Sequence, residues 1–119
     1  MAAFILAVPP QSPVEPGERA FQRCLACHSL QADAESGPRL QGVFGRRAGA
    51  IPGFAYSDAM KAAGRQGLTW DARTLERFLS DPDAVVPGTT MPYQGGPAAE
   101  RRLLIDWLRR SGAAARNGM

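Results

Sequence analysis

Two cysteines and a histidine stand close together in the first quarter of this 119-residue chain. Cys24 and Cys27 are separated by two residues, and His28 follows the second cysteine directly. This spacing suits three kinds of chemistry: half of a zinc site, a redox-active dithiol, or covalent attachment of a haem through two thioether bonds. The chain has no further cysteine or histidine, so the choice depends on what surrounds the motif.

The first two alternatives lack what they require. A zinc site needs two more good ligands, and neither a third cysteine nor a second histidine exists. A thioredoxin-like dithiol lies in a βαβ unit, whereas no segment here alternates as a strand. In haem attachment each thiol adds to one vinyl group and the histidine supplies a nitrogen to the iron. The motif therefore predicts one haem c attached through Cys24 and Cys27, with His28 as an iron ligand.

Short helices joined by long loops must position this motif. Two glycines are predicted to end helices: Gly64 ends the helix that precedes it, and Gly112 ends the helix nearest the C-terminus. The loops are longer than a small domain usually tolerates, which indicates that a large planar cofactor fills part of the interior. Apolar spacing and capping signals predict helices over residues 17–23, over 56–63 with Ser57 or Asp58 as cap, from 69–71 to Asp81, and over 97–112.

The length predicts one folded domain. We expect residues 1–16 to be a flexible N-terminal arm or linker remnant, residues 17–113 to form the domain, and residues 114–119 to be a C-terminal tail. The apolar start is too short for a complete leader or a membrane span. The net charge is +3, and the arginines that adjoin one another form short pairs rather than one long run, without a nucleic-acid motif, so nucleic acid is not an expected partner.

From Gly17 to Gly112 the chain resembles a class I c-type cytochrome, similar to mitochondrial cytochrome c and bacterial cytochrome c2. The resemblance implies an all-α cytochrome c fold, with four to five short helices and long loops wrapped around one covalent haem. The motifs that carry it are Cys24-Leu25-Ala26-Cys27-His28, Gly37-Pro38-x-Leu40, Gly67-Leu68-Thr69-Trp70 and Val86-Pro87-Gly88-Thr89-Thr90-Met91-Pro92-Tyr93.

The same resemblance implies the other site residues. Met91 lies in a loop similar to the family's Pro-Gly-Thr-x-Met, which implies that His28 and Met91 are the two axial ligands of the iron. Pro38 is implied to offer its carbonyl oxygen to the free N–H of His28. Hydrogen-bond donors to the haem propionates are implied at Arg46, Tyr56, Ser57, Trp70 and Thr89.

A further likeness concerns the two ends of the domain. Gly17 and Phe21, facing Leu104 and Trp107, resemble the crossing of the terminal helices in this family. A glycine lets two backbones approach closely, and the aromatic side chains fill the contact. We interpret this feature as a folding contact rather than as part of the chemistry.

The chain also departs from the mitochondrial pattern. Phe78 stands where that pattern has a tyrosine near the methionine ligand, and Met60 replaces a polar residue on the same buried side. The ring of docking lysines is missing. Asp83 and Thr90 occupy two of the places where such lysines often lie.

The resemblance implies a one-electron carrier, not an enzyme, that shuttles electrons between respiratory or photosynthetic redox proteins. The implied partners are a bc1-type complex, a terminal oxidase, a reaction centre or a dehydrogenase. A monomer in the periplasm, or at the outer face of an energy-transducing membrane, is the expected state. Two alternatives stay open: a haem module cut from a larger oxidoreductase, membrane-associated through a missing N-terminal anchor, and a haem sensor or peroxidase with a labile methionine.

Overall fold

The helices are short and widely spaced along the chain, as predicted. The computed structural model describes residues 14–25, 27–34, 37–91 and 96–117. Within these ranges it contains no strand and only two isolated bridges, Ala34 with Gly37 and Arg47 with Thr69, which confirms the all-α class. The helices are α1 (Pro16–Phe21), α2 (Asp58–Arg65), α3 (Ala72–Ser80), α4 (Pro82–Val85) and α5 (Ala98–Asn117), and a 3₁₀ turn (Gln22–Cys24) continues α1.

The starts of α2 and α3 are set by the side chains that precede them. The Ser57 hydroxyl accepts a hydrogen bond from the backbone N–H of Met60, which caps α2. The Asp71 carboxylate accepts from the N–H of Thr74, while the Thr74 hydroxyl accepts from the N–H of Asp71. This reciprocal pair satisfies two of the N–H groups that a helix start leaves unbonded, and both caps were among the predicted ones.

The two predicted glycine stops are wrong. Helix α2 continues past Gly64 to Arg65, and α5 continues past Gly112 to Asn117. Both glycines are buried. A Cβ on Gly64 would overlap the carbonyl of Ala48, and one on Gly112 would lie 3.3 Å from the backbone nitrogen of Gly42. Glycine is therefore used at both sites for a close approach of backbones, which a local pattern cannot distinguish from a helix end.

Helices α1 and α5 cross where the sequence predicted. The Phe21 and Trp107 rings are 5.1 Å apart between centroids. A Cβ on Gly17 would overlap the Leu103 carbonyl and the Trp107 side chain, so only glycine allows this approach. Leu104 is almost completely buried at the same crossing. Next to this crossing, Arg23 of the 3₁₀ turn pairs with Glu100 of α5 at 2.9 Å, and Cys24 lines the same cavity as Leu104.

The chain between α3 and α5 turns sharply at Asp81. Helix α3 ends at Ser80, as the Asp81-Pro82 pair predicted, because the residue before a proline avoids helical geometry. Pro82 then begins the four-residue helix α4, which was not predicted as a separate element. After it, Val86 is fully buried and anchors the loop that leads to Met91. In the described part of the chain, no helix is both long and apolar enough to cross a membrane.

Candidate functional site

A cavity of about 520 Å³ lies between the crossing helices and the loops, a size typical of cofactor sites. Its lining is mostly apolar. All ten residues predicted for the site contribute to this lining: Cys24, Cys27, His28, Pro38, Arg46, Tyr56, Ser57, Trp70, Thr89 and Met91.

The histidine is held by the segment that was predicted to lie beside it. Its Nδ1 is 2.8 Å from the carbonyl oxygen of Pro38. Because a carbonyl only accepts, Nδ1 carries the proton and Nε2 is left with a lone pair. A Cβ on Gly37 would lie 2.7 Å from the His28 ring and 2.6 Å from the carbonyl oxygen of Cys27. Gly37 therefore lets the 37–38 segment approach the ring closely enough to fix its orientation.

Burial acts on the ionisable groups of both His28 and Cys24. Burial lowers the pKa of His28, against a smaller opposite effect of its bond to Pro38, so the imidazole is neutral at pH 7. Burial, helped by the nearby Cys27, raises the pKa of the Cys24 thiol to about 11. Cys24 and Cys27 are not joined in a disulfide. A neutral imidazole can donate its lone pair to a metal, and two unlinked thiols line the same cavity.

Met91 reaches the cavity from the opposite end of the chain. Its backbone N–H donates to the Thr89 hydroxyl at 3.2 Å, which tightens the turn before the methionine. The side chain is partly buried and packs against the core. Met60, on α2, lines the same cavity. Two thioethers are therefore available inside it, and only the loop motif distinguishes Met91 as the predicted ligand.

Three hydroxyl groups along the cavity share one arrangement. The oxygen of Tyr56 accepts from the N–H of Ile51, that of Ser57 from Met60, and that of Thr89 from Met91. A hydroxyl that accepts from the backbone still has its own proton to donate. These three groups can therefore serve as donors to a carboxylate inside the cavity.

Trp70 and Arg46 add nitrogen donors to the same wall. Trp70 is buried, and its indole N–H has no hydrogen-bond acceptor among the described residues. The Arg46 guanidinium donates to the carbonyl oxygens of Arg39 and Gln41, both at 2.7 Å. These bonds hold the 39–41 segment beside a side chain that lines the cavity. Since no buried side-chain nitrogen or oxygen among the described residues lacks a partner, the indole N–H is open to the cavity, where it can donate to an acidic group.

The residues present fit a covalently attached haem. A mostly apolar lining around a space of about 520 Å³ exposes apolar surface to water unless a large apolar group covers it. Two thiols, a neutral imidazole and a thioether supply attachment and soft or borderline ligands, while the hydroxyl and indole donors suit propionates. No group of three or more His, Cys, Asp or Glu side chains in the described residues is arranged to bind a metal ion.

Part of the lining was not predicted as site. It is apolar and comes from turns and from the inner faces of α3 and α5. The stripe on each helix was visible in the sequence as helix periodicity, but periodicity does not tell a side chain that contacts a cofactor from one that contacts protein. The additional apolar side chains are Leu40, Val43, Phe54, Leu75, Phe78, Leu79, Leu104 and Leu108.

Comparisons with known proteins point in one direction. No family model matches the chain. Cytochrome c2 of Agrobacterium tumefaciens is 46% identical over 84 residues, which are 69% of this chain and 76% of that protein. Cytochrome c2 of Blastochloris viridis is 46% identical over 81 residues, 66% of this chain and 61% of that protein. Cytochrome c type-1 of Ascaris suum is 41% identical over 95 residues, 78% of this chain and 82% of that protein.

Solved structures give the same result for the fold. Cytochrome cH from Methylobacterium extorquens superposes with a TM-score of 0.73 at 39% identity, covering 83% of this chain and 99% of that one. Ferricytochrome c2 from Rhodopseudomonas palustris superposes with a TM-score of 0.75 at 29% identity, covering 84% of this chain and 99% of that one. The cytochrome c fold expected from the sequence is confirmed.

Proposed function

This chain belongs to the class I c-type cytochromes, and on that premise we propose that His28 and Met91 hold the iron of its haem while the protein carries one electron at a time. The chain has one covalent haem c, and Cys24 and Cys27 match its attachment motif. It is an electron carrier rather than an enzyme. The proposal assigns the residues that perform this role.

One observation carries the assignment. A single apolar cavity is lined by both cysteines, by His28 with its Nδ1 committed to Pro38, and by Met91. The committed Nδ1 leaves Nε2 as the nitrogen that can bind a metal, and the hydrogen bond makes the ring a better donor. A thioether is a neutral, soft ligand that favours the reduced iron.

The remaining residues orient and enclose the cofactor. The bound haem iron supplies a reversible one-electron couple between its ferrous and ferric states. The apolar lining excludes water, and low polarity around a redox centre is one of the ways in which a protein tunes its potential. Tyr56, Ser57, Thr89 and Trp70 provide the donors that stabilise buried propionates, and Arg46 adds a positive charge on that side. We assign these five residues to propionate binding.

The partners of such a carrier are redox proteins. We propose that they are membrane-bound respiratory or photosynthetic complexes or dehydrogenases, and that this chain meets them as a monomer in the periplasm. The support is the class of protein, whose relatives here are mostly bacterial cytochromes c2 and c-550. Complexes of this kind are small and short-lived, since turnover requires fast release.

The ligand assignment is tested by optical spectroscopy and a redox titration of the purified holoprotein. The oxidised wild type should show the weak far-red band of a methionine–iron bond at neutral pH. Met91→Leu keeps the volume of the side chain but removes the sulfur. It should lose the band and lower the reduction potential, because the thioether no longer favours ferrous iron.

Met60→Leu is the matched control, since it removes the other thioether of the cavity. It should retain the far-red band. Loss of the band in Met60→Leu and its retention in Met91→Leu would assign the iron to Met60 instead. If the wild-type protein lacks the band at neutral pH, the proposal that two side chains bind the iron of an electron carrier is contradicted. A sensor or peroxidase with an open iron position would then be favoured.

A further inference from the structure

Charge is unevenly distributed along this chain. The segments 24–38 and 78–100 contain the cysteines, the histidine and Met91. They hold none of the 14 lysines and arginines, but five of the 11 acidic residues. The net charge of +3 therefore arises entirely outside the two segments that supply the attachment and ligand residues.

Some of the carboxylates in these two segments form ion pairs and others do not. The Asp33 carboxylate pairs with Arg39 at 3.0 Å, and Glu100 pairs with Arg23 at 2.9 Å. Asp81 and Asp83 are exposed and form no ion pair within the described residues. Among the described acidic residues of the two segments, Asp81 and Asp83 are therefore the carboxylates without an ion pair, and both lie next to the loop that leads to Met91.

One of these carboxylates has a fixed position. The Asp83 Oδ1 accepts a hydrogen bond from the backbone N–H of Gly88 at 2.8 Å. Gly88 immediately precedes Thr89, which lines the cavity and contacts Met91. The bond holds a negative charge beside the loop rather than at the end of a freely moving side chain. A fixed charge near a redox site contributes more reliably to the steering of a charged partner.

Leu25, Cys27 and residues 89–91, which are described on either side of the cavity, carry no charged side chain. Leu25 is 49% exposed although it is a large apolar residue. Thr90 is exposed, and Cys27, Thr89 and Met91 line the cavity while remaining partly exposed. We name this surface, from Leu25 and Cys27 to the 89–91 loop with Asp81 and Asp83 beside it, the cavity-mouth face.

Several exposed basic side chains form no ion pair with the described residues. One of them, Arg77, lies one turn before Asp81 on α3, whereas others lie away from the cavity-mouth face. Arg47, Lys61 and Arg65 are exposed, form no ion pair with the described residues, and line one surface notch of about 390 Å³ between α2 and the turn before it. None of them belongs to the cavity-mouth face. A partner that approaches this face therefore meets a local charge opposite in sign to the net charge of the molecule.

We propose that the cavity-mouth face docks a redox protein whose own docking patch carries lysine or arginine side chains. The inference rests on the proposed function, because it takes the exposed cavity lining as the place where electrons pass. Charge complementarity raises the association rate, and a half-exposed Leu25 supplies apolar contact in a small interface. An acidic docking patch on the partner would meet Asp81 and Asp83 and be repelled.

Small oxidants of opposite charge measure the sign of this local charge. The reduced holoprotein gives one electron to ferricyanide, which becomes ferrocyanide, or to tris(phenanthroline)cobalt(III), which becomes the cobalt(II) complex. Rates are followed by stopped-flow absorbance as the ionic strength rises. The cobalt rate should fall and the ferricyanide rate should stay constant or rise, because salt screens attraction and repulsion respectively. A ferricyanide rate that falls with salt would overturn the proposal.

A pair of double variants localises the effect. Asp81→Asn/Asp83→Asn removes two negative charges and preserves the acceptor for Gly88. At low ionic strength it should slow the cobalt reaction and speed the ferricyanide reaction, each roughly threefold. Glu15→Gln/Asp106→Asn changes the total charge equally. Asp106 lies on the side of α5 opposite Leu104 and Leu108, which line the cavity, so the control should change both rates less than the first pair does.

The outcomes separate this inference from the proposed function. Electron transfer to neither oxidant would contradict the carrier proposal itself. Transfer to both oxidants with equal effects of the two double variants would leave the carrier proposal intact and overturn the acidic docking face, since net charge alone would then govern the rates.

Discussion

The crossing of α1 with α5 is packed by the chain's own side chains, whereas the wall of the cavity is built from turns around a space that the chain does not fill. At the crossing, Phe21 and Trp107 are in contact and Leu104 is almost fully buried. Along the wall, the hydroxyl groups accept hydrogen bonds from the backbone and keep their own protons free to donate, as does the indole N–H. The first region is stabilised by burial of apolar surface, while the second needs its cofactor to complete both packing and hydrogen bonding.

The largest expected effect comes from removing the cofactor's attachment. Cys24→Ser/Cys27→Ser should leave the chain without covalent haem and without a cooperative unfolding transition, because the apolar lining of the cavity would lose the group that it packs against and would face water. Far-UV circular dichroism during heating and haem staining of a denaturing gel measure the two results. A haem-free variant that unfolds as cooperatively as the holoprotein would contradict this view of the cavity wall.

The next effect belongs to the crossing itself. Trp107→Ala should lower the free energy of unfolding by roughly 3–5 kcal/mol, because a large buried ring is lost and its cavity is only partly refilled. Urea denaturation of the holoprotein measures the change. Leu103→Ala on the same helix is the control, since Leu103 is 47% exposed, and it should change the stability far less. Equal losses in both variants would show that the crossing is not the site of the packing energy.

A smaller change tests the support of His28. Gly37→Ala should weaken the far-red band and cost roughly 1–3 kcal/mol, because the added Cβ overpacks against the His28 ring and displaces it from Pro38. Gly53→Ala is the control: its φ of +84° strains an alanine, but nothing lies within 4 Å of the added Cβ. The control should lose stability without a change in the band. A normal band in Gly37→Ala would mean that the ring is oriented by other contacts.

The smallest expected effect separates two roles of Ser57. Ser57→Ala should cost about 1 kcal/mol through loss of the α2 cap. Ser57→Asp restores a good capping acceptor but places a carboxylate where the cavity donors converge. If the Ser57 proton serves a propionate, Ser57→Asp should be less stable than Ser57→Ala in urea denaturation of the holoprotein. Recovery of wild-type stability in Ser57→Asp would limit Ser57 to the capping role.

Local signals in the sequence were enough for much of this architecture. The caps at Ser57 and Asp71 and the end of α3 before Pro82 depend only on residues a few positions apart. The stripe on α5 that meets Phe21 follows from helix periodicity. Errors occurred where a residue serves a distant contact. Gly64 and Gly112 have the composition of helix stops, but each is a glycine because another backbone passes close to it.

The residues of the candidate site also fall into those recognisable from the sequence and those that need the folded chain. Cys24, Cys27 and His28 are recognisable from spacing alone, since attachment chemistry demands neighbours in sequence. Met91 was predicted from a loop motif, and the choice between it and Met60 still depends on spectroscopy because both thioethers line the cavity. The resemblance implied Tyr56, Ser57, Trp70 and Thr89 as donors, but only the folded chain brings them around one cavity, since they come from three separate segments.

By itself, the sequence determined the starts of α2 and α3, the attachment motif and the absence of positive charge from the segments around it, because these are properties of neighbouring residues. Only the tertiary structure decided that a single cavity unites residues from Cys24 to Leu108, that the Pro38 carbonyl implied by the resemblance lies 2.8 Å from Nδ1 of His28, and that Asp83 is fixed beside the Met91 loop. The physical reason is that each of these features depends on the distance between atoms far apart in the chain, and packing sets that distance.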